Sequence, residues 1–414
     1  MNNSVNRWTV LIASSLINLC IGSVYAWSVF AAPMAAQLGL NTADLAVIFT
    51  IASGVGPITM IWGGKITEKI GVRQVVLLGG IMYGLGFILS GFSGSLGALM
   101  VSYGLVSGLG LGMVYGCTIN NTIKFFPDKR GLIGGILTAV YGLSSVIIPP
   151  VANKMIVALG ILPTFRILGL VFLLVICGAA MLVRQPPHDY RPANWMPSPA
   201  QASRSGQDKD WRAMLKDPVF YIMISLLMCG AFYGLMLISQ ASPIAQNLIG
   251  VDPATAAICV SVLALFNMGG RVIAGYLSDL FGRVNTLITM LILAMVGFVL
   301  ILNCSAGDLI LFMAAMSVIG ASFGAFMGIF PGFTADQFGP RHVSINYGIM
   351  FIGFAVAGVL GPIILSSIYK TSGSYQTAFL ACIGLSVLGL ILALVYKARS
   401  KSAQAALKAA GQTA

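Results

Sequence analysis

Twelve apolar runs of about 20 residues, nearly free of charge, limit what this chain can form. They lie near 8–30, 44–66, 74–95, 97–123, 131–154, 163–183, 218–240, 253–277, 284–304, 308–332, 344–369 and 375–397. As a helix, each is long enough to cross a hydrocarbon layer of about 30 Å. A soluble fold would need polar stretches among such runs and about a quarter charged residues. Here 8% of residues are charged and 58% hydrophobic, with a mean hydropathy of +0.93. The expected fold is therefore an all-α membrane protein with twelve transmembrane helices. The first run follows Arg7, exceeds the apolar region of a signal peptide and lacks a cleavage signal, so it counts as the first span.

The net charge of +12 does not point to nucleic acid, because the basic residues sit in loops between spans. If the N-terminus is cytoplasmic, 19 of the 23 Lys and Arg fall in inside segments. Lys154, Arg166 and Lys370 fall outside, and Arg271 falls within a span. This asymmetry predicts cytoplasmic termini and an even number of spans. The seven cysteines lie in or beside apolar runs without CxxC spacing. They read as small buried hydrophobes rather than disulfide or metal residues. The longest polar stretch, 184–216, is rich in Pro, Ser and charge and reads as a cytoplasmic linker. The expected organisation is a six-helix bundle over 1–183, that linker, a second bundle over 217–397 and a cytoplasmic tail over 398–414.

The two halves match at an offset of about 211 residues. Gly64-Lys-Ile-Thr-Glu68-Lys-Ile-Gly71-Val-Arg73 follows span 2, and Gly275-Tyr-Leu-Ser-Asp279-Leu-Phe-Gly282-Arg283 follows span 8. Span 4 has glycines at 104, 108, 112 and 116; span 10 has them at 320, 324, 328 and 332. Spacing of four keeps glycines on one helix face, where they let helices approach closely. Pro33 and Pro243 also correspond, as do Arg130 and Arg341. A duplicated six-span unit implies two pseudo-symmetric bundles, with substrate near the bilayer midplane and the bundles rocking about it. The loop motif Gly-x-x-x-Asp/Glu-x-x-Gly-x-Arg resembles the signature of the major facilitator superfamily; the second copy is one residue shorter before its Arg. A carboxylate at such a helix end can cap a neighbouring helix and pair with a nearby cation. Glu68, Arg73, Asp279 and Arg283 therefore read as gating-loop residues.

The eleven acids lie in loops or at span ends, and neither His188 nor His342 is in a span. Arg271 is the one ionisable residue expected deep in the bilayer. It precedes Asp279 by eight residues, which places it about 12 Å along the helix from the cytoplasmic end. A charge at that depth costs several kcal/mol unless it faces a polar cavity or a partner, and arginine keeps its proton. One reading is that an anionic substrate completes the site, since guanidinium binds carboxylate bidentately. The other is an arginine bonded to backbone carbonyls or waters between helices. Asn267, one turn earlier on the same face, is placed to orient the guanidinium, to bond substrate or to link helices.

Further stretches extend the resemblance. They are Tyr25-Ala-Trp27-Ser-Val-Phe-Ala-Ala-Pro33, Gly112-Met-Val-Tyr115-Gly-Cys-Thr-Ile-Asn120, Phe126-Pro-Asp-Lys-Arg130-Gly, Ala139-Val-Tyr141-Gly-Leu, Leu265-Phe-Asn-Met-Gly-Gly-Arg271 and Asn346-Tyr-Gly. Together they resemble the oxalate:formate antiporter family, related to the monocarboxylate transporters, through nearly every span. The resemblance implies an aromatic cage around basic residues. Arg271 would be the anion-binding arginine of span 8, and Tyr115 and Tyr141 cage tyrosines. Phe323 and Phe351 stand where the oxalate transporter has tryptophans, and Tyr25 and Trp27 join the candidate set. Where the oxalate transporter has a second cation, a lysine in span 11, this chain has Phe354. One positive charge suits a monoanion, because a dianion would keep an uncompensated charge in a low-dielectric site.

The expected function is secondary transport of a small monocarboxylate such as lactate, pyruvate or formate by a monomer in a bacterial inner membrane. Animal monocarboxylate transporters usually have an aspartate where this chain has Asn267. Proton symport and carboxylate exchange both stay open, with symport favoured by analogy. An anion channel, which often carries rings of like charge, and a non-transporting sensor are the rival classes. No nucleophile–base pair, metal cluster or nucleotide loop is visible, so no catalytic residue, metal or cofactor is expected, and the partners are substrate, protons and lipid.

Overall fold

The structure is a computed structural model that describes residues 6–187, 190, 192, 196 and 208–411. Much of the 184–216 linker and the last three residues of the tail lie outside this set. Among the described residues, twelve helices are long and apolar enough to cross a membrane. They are α1 Arg7–Leu38, α2 Val47–Ile70, α3 Val72–Ser90, α4 Leu96–Lys124, α5 Arg130–Leu159, α6 Ile161–Ala180, α7 Pro218–Ile249, α8 Pro253–Phe281, α9 Arg283–Leu302, α10 Leu309–Phe338, α11 Val343–Ser372 and α12 Gln376–Ser400.

Local chemistry sets the ends. Asp217 and Asp252 cap α7 and α8, their carboxylates accepting from Val219 and from Ala254 and Thr255, with Pro218 and Pro253 at the first helical position. The Thr255 hydroxyl, followed by its amide, holds the Asp252 carboxyl below its ordinary range. Gly39 and Gly250, 211 positions apart, take φ of 67° and 71° as left-handed caps of α1 and α7. Gly71 and Gly282, also 211 apart, turn α2 into α3 and α8 into α9 at φ of 88° and 89°. α1 and α7 run past the spans read from hydropathy, through Pro33 and Pro243. Two segments break α-helical register: a 3-10 turn at Gly22–Ala26 in α1 and a π-helical stretch at Met100–Ser107 in α4. Tyr83 serves the first break. Its hydroxyl donates to the Ile21 carbonyl at 3.1 Å and lies 2.7 Å from Ser23 Oγ.

By contacts the chain divides into two units. The first comprises Met1–Asp128, Ile136–Trp195 and Pro340–Ile349; the second comprises Lys129–Gly135, Met196–Gly339 and Met350–Ala414. In the first unit α3 packs on α6, α2 on α4, and α1 on both α4 and α6. In the second unit α9 packs on α12, α8 on α10, and α7 on both α10 and α12. The same pairings recur six helices later, as a duplicated unit requires.

The α8–α10 seam is built on glycine. A methyl group at Gly320, Gly324 or Gly328 would run into the carbonyl oxygen of Leu263, Asn267 or Arg271 respectively. From the other side, a methyl at Gly270 would overlap the Ala321 carbonyl. The two backbones therefore meet without intervening side chains, the arrangement small residues permit in lipid.

Candidate functional site

The seam fixes the backbone of Asn267 and Arg271, and the side chains follow. Both are buried, at 6% and 7% relative exposure, in a helix long and apolar enough to cross a membrane. Arg271 donates from Nε and Nη2 to the single oxygen of Asn267, at 3.2 and 3.0 Å. The Asn267 amide in turn donates to the Gly320 carbonyl at 3.3 Å. One edge of the guanidinium is thus fastened by a neutral group that is itself anchored to α10. The fastening restricts rotation without neutralising the charge.

α10 also carries Phe323, buried and packed against Gly234 of α7, where a methyl would overlap the ring. Phe354 on α11 lies parallel to Phe323, centroids 6.5 Å apart and planes 10° apart. Phe351 stacks on Phe354 at 4.5 Å and 20°. Phe323, Phe354 and Phe351 form an apolar wall within the second unit, and α10 is the common neighbour of this wall and of Arg271.

In the first unit the rings of Tyr25, Tyr115 and Tyr141 meet. Tyr141 takes Tyr25 edge-on at 5.3 Å and Tyr115 at 4.8 Å. Tyr115 and Tyr141 are buried; Tyr25 is 40% exposed. Trp27 does not join them. It is buried against Tyr103 of the π-helical stretch, 4.5 Å between centroids. Two residues on is about 200° around an α-helix and about 240° around a 3-10 turn, so Tyr25 and Trp27 point to different sides.

The loop-motif acids are also in place. Asp279 accepts the amides of Gly131 and Leu132, at 2.9 and 2.8 Å, and Nη1 of Arg283 at 2.5 Å. It therefore caps the start of α5 and binds a cation at once. Gly131 and Gly275 are pressed so closely that a methyl on either would strike the other's carbonyl. In the first unit Glu68 pairs instead with His342, Oε1 to Nδ1 at 2.6 Å. Arg73 donates from Nη2 to the sulfur of Met181 at 2.8 Å.

Composition and spacing did not single out Asp336. It joins Arg130 at 2.6 Å and Arg283 at 2.9 Å, making a four-member chain of alternating charge with Asp279. Its only sequence signal is an acid at a span end, and its position in the first half is occupied by Phe125, so the repeat offers no matching acid. Also unmarked is a buried polar contact between α1 and α4. There Asn18 donates to Thr118 Oγ1 at 2.9 Å, and Thr122 donates to Ser14 Oγ at 2.9 Å.

The sequence pattern of the Major Facilitator Superfamily matches residues 11–283 and 236–413, almost the whole chain. The chain belongs to that superfamily. It is accordingly a multi-pass membrane transporter and not an enzyme. Among superfamily relatives, the oxalate:formate antiporter of Oxalobacter formigenes is 29% identical over 378 residues, covering 91% of this chain and 88% of that protein. Human monocarboxylate transporter 12 is 24% identical over 402 residues, covering 91% of this chain and 77% of that protein. Among solved structures, the superfamily transporter FucP aligns with a TM-score of 0.73 at 13% identity, over 94% of this chain and 98% of its own. That likeness concerns the fold.

Proposed function

We propose that this superfamily transporter carries a small monocarboxylate, such as lactate, pyruvate or formate, by alternating access, with Arg271 as the group that binds the carboxylate. The observation that carries the reading is the guanidinium buried within a membrane-spanning helix and aligned by a neutral amide on a rigid seam. A charge kept at that depth is a functional feature by default, and guanidinium matches carboxylate in shape as well as charge. The named cargo of the antiporter and monocarboxylate relatives supports the same ligand class. Phe323, Phe351 and Phe354 supply the apolar wall that strengthens the ionic attraction by excluding water. Tyr115, Tyr141 and Tyr25 are proposed to contribute hydroxyls to the anion, and Trp27 to support them through its packing. The chain is proposed to act as a monomer in a bacterial inner membrane, as its bacterial relative suggests for the membrane, and the asymmetry of its lysines and arginines puts both termini on the cytoplasmic side in this proposal.

Transport is proposed to run as proton symport. The antiporter relative, together with an amide at Asn267 where a titratable carboxylate would serve a proton, favours anion exchange as the second reading. Purified protein in proteoliposomes is expected to take up labelled lactate or formate saturably, driven by an inward proton gradient with no internal anion. Uptake only against a preloaded anion selects exchange. Absence of saturable uptake of every C1–C4 monocarboxylate, with or without counter-anion, removes the proposal.

The wall gives a second expected result. Phe354→Lys introduces a second cation beside the stack, so the preference of ligand-induced thermal stabilisation moves from formate toward oxalate. The swing is expected to be about tenfold or more in relative affinity, the scale of one charge pair in a partly dry site. An unchanged ranking of mono- and dicarboxylates removes Phe354 from the specificity wall.

A further inference from the structure

The two loop-motif acids occupy matched positions, yet they are held by different chemistry. Asp279 is bound by two backbone amides and by Arg283, donors that stay in place at every physiological pH. Glu68, 211 positions earlier, is bound by an imidazole. Its motif partner Arg73 reaches a methionine sulfur instead. His342 sits at the entry to α11, where its carbonyl accepts the amides of Ile345 and Asn346 at 3.1 and 3.0 Å. The first turns of α11 are pressed onto α2 in the same place. A methyl at Gly64 would come within 2.9 Å of the Ile345 nitrogen, and one at Gly348 within 2.9 Å of the Ile61 side chain.

We propose that Glu68 and His342 form a pH-responsive latch that fastens the start of α11 to the end of α2. Histidine is the side chain whose charge ordinarily changes between pH 5 and 8. With the imidazole protonated, the 2.6 Å contact is an ion pair; with it uncharged, only a hydrogen bond to the carboxylate is left. The charged groups on the elements that meet here are Lys65, Glu68 and Lys69 on α2, Lys124 at the end of α4 and Arg341, the neighbour of His342 in sequence. Lys124 donates to the Arg341 carbonyl at 3.2 Å. The corner therefore tightens on the acid side of the window and loosens on the alkaline side. This inference concerns the gating loop and stands whatever the cargo is.

The test needs no substrate. The chain has two histidines, His188 and His342, so the 15N imidazole signals of the full-length protein in nanodiscs are assigned by His342→Gln. Glu68→Gln removes the carboxylate that the imidazole contacts and is expected to make hydrogen exchange of residues 344–348 at pH 6 as fast as in His342→Gln. Hydrogen exchange of residues 344–348 is then compared among wild type, His342→Gln and His342→Arg at pH 6 and at pH 8. Wild type should match His342→Arg at pH 6 and His342→Gln at pH 8, with exchange about two- to fivefold slower in the latched form. If His342→Arg does not fold, wild type against His342→Gln is sufficient: a difference at pH 6 that vanishes at pH 8 supports the latch. Exchange in Glu68→Gln as slow as in wild type at pH 6, or a wild-type to His342→Gln ratio equal at both pH values, overturns it.

Discussion

Arg271→Gln is expected to abolish carboxylate-induced thermal stabilisation while leaving the protein folded and, without ligand, at least as stable as wild type. Two opposing energies lead there. A buried arginine in a membrane span costs several kcal/mol in solvation, so replacing it with a neutral amide that can still bond Asn267 relieves the unliganded state. Losing the cation removes a charge-assisted bidentate contact, typically 2–5 kcal/mol in a desolvated site, or roughly thirtyfold to several thousandfold in affinity. Arg271→Lys keeps the charge but loses the planar fork, so an intermediate loss is expected. The measurement is a thermal-shift titration of lactate, formate and acetate on all three proteins. Wild-type stabilisation surviving in Arg271→Gln moves the binding site elsewhere, and a strongly lowered unliganded Tm gives the arginine a structural role.

The second large effect is expected at Asp336. Its two oxygens hold Arg130 and Arg283, and all three side chains are less than one-fifth exposed. Asp336→Asn leaves two guanidiniums close together with one carboxylate, Asp279, which pairs with Arg283. Breaking a mostly buried pair in this way costs on the order of 3 kcal/mol, because the partners stay charged and lose their compensation. A fall in Tm of several degrees should follow in detergent. The double substitution Asp336→Asn with Arg130→Gln should recover part of it, since one stranded charge leaves with its acid. Additive losses in that cycle refute a coupled network.

The fold was largely legible because lipid imposes a simple rule: every span must be apolar and long. Hydropathy marked all twelve helices, yet it ended α7 near 240 where the helix continues to Ile249. Gln240, Ser242, Gln246 and Asn247 make that end polar, while backbone hydrogen bonding carries on through Pro243 to the left-handed Gly250. The 3-10 and π-helical segments left no trace in composition, because a change of hydrogen-bond register does not alter which residues are apolar. Within the site, the contact between Asn267 and Arg271 follows from helical spacing, and so does the glycine seam. The partners of Glu68 and Asp336 do not: His342 is 274 positions from Glu68, and Arg130 is 206 from Asp336. Contacts of that kind depend on how helices are arranged in space, which a single sequence does not encode in any local pattern.

The glycines between α8 and α10 also bear on how selectivity persists through a transport cycle. With no side chains to slide past one another, the two helices have little freedom to shear. The guanidinium on one and the leading phenyl ring on the other must then travel as a single part. On the proposed assignment of Arg271, a carrier built this way meets its cargo with the same surface on arrival and on departure, so release must come from changes around that surface and not from its dismantling.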